Sequence, residues 1–88
     1  MVSAKVKVIN PQGLHMRPAQ LFVTEISRYK CDVTIVFGGV AVGAKSTMNL
    51  MALRVRQGSE IEIRCDGPQE AEALAAAVGL VESGLGDI

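Results

Sequence analysis

Glu60-Ile61-Glu62-Ile63-Arg64-Cys65 alternates charged and apolar residues without a break. Side chains on a strand repeat every two residues, so this run puts its apolar groups on one face and its charges on the other. A strand of that kind belongs to an antiparallel sheet with one wet face, and it needs a covering layer on the apolar side. The chain has 88 residues to supply that layer, which is room for one domain, 1–88, and not for two. Hydrophobic residues form 49% of it, enough material for a core.

The remaining segments sort by period. Lys5 to Ile9 alternates as a strand, and Asn10-Pro11-Gln12-Gly13 interrupts it with turn chemistry. Ala19, Phe22, Val23 and Ile26 then recur at helical spacing. They predict an amphipathic helix opened by Pro18, whose missing N–H costs nothing in a first turn, and ending near Arg28 or Tyr29. Val33, Ile35 and Phe37 lead through Gly38-Gly39 into Val40 and Val42, a hairpin signature. Ser46 is the expected cap of a short helix over Thr47 to Leu53. Asp66-Gly67-Pro68 precedes a last helix, with its apolar side expected at Ala71, Leu74, Ala77 or Val78, and Val81. Gly84 and Gly86 end it. The order β-α-β-β-α-β-α and the one-sided strands point to an α+β fold, a four-stranded antiparallel sheet with helices on one face.

Composition narrows the function classes. Nine basic and nine acidic residues cancel, and there are no Trp, one Tyr and two Phe. A nucleic-acid binder needs a basic field, and on single strands aromatic platforms as well, so none is expected here. No stretch reaches the roughly 18–20 apolar residues of a membrane span, and none reads as a signal peptide. Cys31 and Cys65 stand far apart beside a single His. That set falls short of a zinc site and reads as reduced thiols in a cytoplasmic protein; no metal or cofactor is expected.

The one His lies in Gly13-Leu14-His15-Met16-Arg17-Pro18-Ala19, between the turn and the helix. The first amides of a helix lack intrahelical partners and sit at the positive end of its dipole, a combination that favours anions. Arg17 adds a planar fork of donors suited to phosphate oxygens. A histidine at a helix start also serves as a plain cap or a solvated surface residue. That plain role is the commoner one; the setting also suits a nucleophile that takes a phosphoryl group onto a prepared cradle.

These residues, with Lys45-Ser46-Thr47-Met48 some thirty positions later and the turn at Gln57-Gly58, resemble the HPr family, the histidine-containing phosphocarriers of the bacterial phosphoenolpyruvate:sugar phosphotransferase system. The resemblance spans nearly the whole chain. It implies an open-faced β-sandwich with sheet order 1-4-2-3 and three helices on one face. It also implies that His15 accepts a phosphoryl group on Nδ1 from phosphorylated enzyme I and passes it to enzyme IIA domains. Arg17 would stabilise the group. Such a protein is a stoichiometric relay rather than an enzyme, and a monomer. The family's partner-binding patch maps onto Met16, Thr47, Met48 and Met51. Ser46 matches the serine that HPr kinase/phosphorylase modifies in Gram-positive relatives, with a transcriptional regulator as a further implied partner. An HPr-fold regulatory protein, either a nitrogen-branch carrier or a catabolite-repression co-effector, is the alternative.

Residue patterns add two expectations. A helix as short as Thr47–Leu53 buries one stripe, so Leu50 and Leu53 are assigned to the core and Met48 and Met51 to the surface, where flexible thioethers suit several partners. Met16, Asn49 and Arg54 depart from the residues common in the family, and Arg54 places a cation near the end of the short helix. Cys31 is expected to open the second strand and Cys65 to close the fourth.

Overall fold

The computed structural model describes residues 1–86, so residues 87 and 88 of the expected 1–88 domain lie outside the described residues. The elements are β1 (Val2–Lys7), α1 (Met16–Ile26), β2 (Asp32–Phe37), β3 (Val40–Gly43), α2 (Thr47–Ala52), β4 (Glu60–Asp66) and α3 (Glu70–Glu82). The strands form one antiparallel sheet in the order β1-β4-β2-β3. β4, the strand with the clean alternation, runs through the middle: Ala4 pairs with Ile63, and Ile63 with Ile35. Ile61, Ile63 and Cys65 are buried, as the alternation predicts, and they face Phe22 and Ile26 of α1 and Ala73, Ala77 and Val81 of α3 in one core.

Gly38 and Gly39 both adopt positive φ, 59° and 80°, and Phe37 pairs with Val40 across them. This is the primed two-residue turn that matches strand twist. Ser46 caps α2: its Oγ accepts a hydrogen bond of 3.3 Å from the Asn49 amide.

Three expectations need correction. β1 begins at Val2 rather than Lys5, because Val2 finds a partner in Cys65, and it ends at Lys7. Val8 still exchanges backbone bonds with the Gly58–Ser59 turn, its N–H donating to Ser59 at 2.8 Å and its carbonyl accepting from Gly58 at 2.7 Å. α1 begins at Met16, two residues before Pro18, which tolerates the third helical position for the same reason it tolerates the first. α3 buries Ala73, Ala77 and Val81. Ala71 is exposed, and Leu74 and Val78 lie at the margin beside Val2 and Ala4 of β1. This helix is apolar almost all round, so spacing alone selects no face.

Candidate functional site

α1 starts at a bend that its sequence makes unavoidable. Gly13 has φ +60°, and a Cβ on it would collide with the Val55 carbonyl oxygen and approach the Arg56 Cα to 2.9 Å. Only glycine lets residues 10–14 lie against residues 54–56 this closely. Hydrogen bonds then fasten the two segments together. The Leu14 amide donates to the Val55 carbonyl at 3.1 Å, and Asn10 Nδ2 donates to the Gly13 carbonyl at 2.7 Å. Gln57 Nε2 donates to the Ile9 carbonyl at 3.1 Å. Leu14 is buried, which anchors the residue beside His15.

His15 is the N-cap of α1. Its backbone is extended and its carbonyl accepts from the Ala19 amide at 3.0 Å, but its side chain makes no capping hydrogen bond. Pro18, at the third helical position, has no N–H to offer. The amides of Met16 and Arg17 are therefore the donors at this helix end, and no described group accepts from them. The first turn also carries no acidic residue. No acid of the first turn answers the positive end of the α1 dipole, a setting that favours anions.

His15 is half-buried and lines an open pocket of about 240 Å³ with Gln12, Leu14, Met51, Arg54, Val55 and Arg56. Two arginines thus line the pocket together with the histidine, and none of its described lining residues is acidic. Arg17, the cation expected from sequence, is exposed and does not line it. Gln12, Arg54 and Arg56 are the residues that sequence reading passed over as site residues. A signal existed for the arginines: positions i and i+2 of a non-helical segment can share one side. What was not legible was that this side faces His15, because the fit of Gly13 against Val55 decides that.

Arg54 is unusual for another reason. It follows the C-cap of α2 with φ +56°, where helices usually place glycine. A side chain in this left-handed region costs roughly 1–2 kcal/mol. Its amide donates to the Met51 carbonyl at 3.2 Å and helps close the helix end.

The apolar patch divides as the stripe argument expected. Leu50 is fully buried and Leu53 partly so, whereas Met48 is 81% exposed, Met16 56% and Met51 36%. Met51 joins the His15 pocket and Met16 follows His15 directly; Thr47, half-buried, and Met48 sit a turn earlier on α2 and line no part of that pocket. Ser46 is half-buried and occupied as a cap. Asn49 fixes α2 to β3 through a 3.2 Å bond from Nδ2 to the Gly43 carbonyl. Lys45 Nζ is held by the carbonyls of Tyr29 and Cys31 at 2.9 and 2.7 Å, and so is committed away from Ser46.

Away from the site, Cys31 lies one residue before β2 and Cys65 is buried within β4. Both are free thiols, and burial, with Cys31 as neighbour, pushes Cys65 up to about 11. No described group of His, Cys, Asp and Glu residues has the makings of a metal site, and no described helix is long and apolar enough to cross a membrane.

The family model described as the PTS HPr component phosphorylation site matches residues 2–83. The chain belongs to the HPr family. It is 40% identical over 83 residues to phosphocarrier protein HPr of Treponema pallidum (strain Nichols), covering 94% of each chain. It is 43% identical over 82 residues to the HPr-like protein Crh of Bacillus subtilis (strain 168), covering 93% of this chain and 96% of Crh. The crystal structure of HPr-C-His from Thermoanaerobacter tengcongensis superposes with a TM-score of 0.95 at 36% identity, over 100% of this chain and 99% of that one. The sheet order and the three helices on one face are those of HPr structures.

Proposed function

We propose that this member of the HPr family is a phosphoryl relay of the sugar phosphotransferase system, with His15 as the carrier. The observation that carries the reading is the place of His15: the N-cap of a helix whose first turn holds no acid, in a pocket also lined by Arg54 and Arg56. Nδ1 of His15, unprotonated, attacks the phosphorus on phosphorylated enzyme I. The new N–P bond forms as the bond to the donor breaks, and the donor keeps that electron pair. The open amides of Met16 and Arg17 and the nearby guanidinium groups meet the dianion, so positioning and charge do the work. The reverse sequence delivers the group to an enzyme IIA domain. The protein is taken to act as a monomer.

Met16, Thr47, Met48 and Met51 are assigned to docking with enzyme I and IIA. Exposed thioethers around a charged centre supply soft apolar contact that several partners can share. Arg17, exposed one position from the open amides, supplies a further donor to the bound phosphoryl group once a partner covers the site.

The experiment is ³¹P NMR of the protein after reaction with enzyme I and phosphoenolpyruvate. A single resonance in the Nδ1-phosphoimidazole region that disappears when an enzyme IIA domain is added supports the reading. A resonance that stays, or none at all, contradicts it.

The second reading is regulatory and is favoured by the 43% identity to Crh. Ser46 is taken here as the substrate of an ATP-dependent HPr kinase/phosphorylase. Phosphorylation would exchange a hydroxyl cap for a dianion at the same helix start, which the dipole tolerates, and would set negative charge near the methionine patch. Docking of enzyme I should weaken and binding of a transcriptional regulator should gain. Incubation with the kinase and ATP should add one phosphate to the wild type and none to Ser46→Ala.

A further inference from the structure

We infer that Arg54 and Arg56 are the residues that position the phosphoryl group on His15 in this chain, forming a paired-guanidinium wall that Arg17 does not complete; this rests on the reading of His15 as the phosphoryl acceptor. Arg54 and Arg56 line the same pocket as His15, and Arg17 does not. Neither arginine has an ion-pair partner among the described residues, whereas Arg28 and Arg64 are engaged with Glu25 and Glu62. Two cations at one pocket whose described lining holds no acid repel each other, and an anion between them removes that repulsion.

The backbone argues in the same direction. Arg54 occupies a left-handed position where glycine would be unstrained, and residues that break a local rule of this kind cluster at functional sites. Arg56 is held from behind: its amide donates to Ser59 Oγ at 3.4 Å, and its Cα lies against Gly13. Both arginines thus leave the same backbone clasp that anchors Leu14 beside His15. Arg17, on the exposed helix surface, has no such clasp. The ligand class is a phosphoryl dianion bonded to an imidazole nitrogen, and two planar forks can contact two of its oxygens at once.

The test uses full-length protein phosphorylated chemically with phosphoramidate, which needs no partner protein. The ³¹P shift of the phosphohistidine is followed against pH in wild type, Arg54→Gly, Arg56→Gln, the double variant and Arg17→Gln. Cations beside the phosphoryl group favour its dianion. Each loss from the wall should therefore raise the midpoint of its second ionisation by roughly 0.2–0.7 units, and the double variant should move most. The shift should shrink as salt is added. A merely structural role would not move this midpoint, and Arg54→Gly suits the backbone at its position, so loss of fold does not confuse the result. Midpoints that stay within error in both single variants and the double variant overturn the inference, as does a midpoint that responds to Arg17→Gln alone. Failure of the carrier reading looks different: phosphohistidine made by phosphoramidate, with the expected midpoints, that enzyme I neither forms nor discharges.

Discussion

The three helices of this protein begin in three different chemical states, and the contrast between α1 and the other two marks the candidate site. At α2 the orphan donors meet a hydroxyl, with Ser46 Oγ accepting from Asn49. At α3 the N-cap Gln69 makes no side-chain cap bond, but Glu70 and Glu72 lie in the first turn, and Glu70 Oε1 accepts at 3.1 Å from the Gly67 amide just before the helix. At α1 the cap is an imidazole that makes no capping bond, the third residue is a proline and no acid is present. A helix start left open in this way forgoes stabilisation that a serine or aspartate would supply. The comparison sets two helix starts supplied with oxygen acceptors or acids against one whose first turn offers neither.

The largest expected effect comes from closing the clasp behind α1. Gly13→Ala adds a methyl against Val55 and Arg56 at φ +60° and should destabilise the fold by roughly 2–5 kcal/mol. Urea unfolding measures this, and a loss under 1 kcal/mol would show that the two segments are not tightly joined. Next is Ser46→Ala, which removes the cap of α2 and should lower stability by about 1 kcal/mol while leaving phosphorylation at α1 intact. Third, His15→Asp supplies α1 with the acidic cap it lacks. It should raise stability by about 0.5–1 kcal/mol while abolishing the phosphohistidine, because the dipole is answered but the nucleophile is gone. If the variant is less stable than wild type, the α1 start was not open.

The smallest effect concerns α3. The Gly67 amide holds Glu70 below its ordinary value of 4.5. A lowered carboxylate contributes stability that is fully present above that ordinary value and is lost as pH falls through the native one. Thermal midpoints should therefore fall on acidification below about pH 4.5, and Glu70→Gln should show a shallower fall. Glu62, held low by Arg64, adds to the same trend in both proteins.

Much of this organisation was legible in the residues. The alternation of β4 called for a one-faced sheet, Gly38-Gly39 for a hairpin, and Leu50 against Met48 for a short helix with distinct sides; all three appear. His15 stood out as the only imidazole next to a helix-opening proline. The misplaced buried face of α3 has a physical cause: a helix rich in Ala, Leu and Val presents no polar contrast, so the contacts with β1 and β4 choose the face. Arg54 and Arg56 escaped notice as site residues for a similar reason. Their approach to His15 depends on a contact between backbones more than forty residues apart in sequence, and no local pattern encodes it.

The central claim is that the open cap at α1, and not the hydroxyl cap at α2, carries the phosphoryl group from phosphoenolpyruvate. The direct measurement is incubation of wild type, His15→Ala and Ser46→Ala with enzyme I and ³²P-labelled phosphoenolpyruvate, followed by acid treatment of the labelled chains. Acid-labile label on the wild type and Ser46→Ala, and none on His15→Ala, is the predicted result. Label that survives acid, or that persists on His15→Ala, would contradict it.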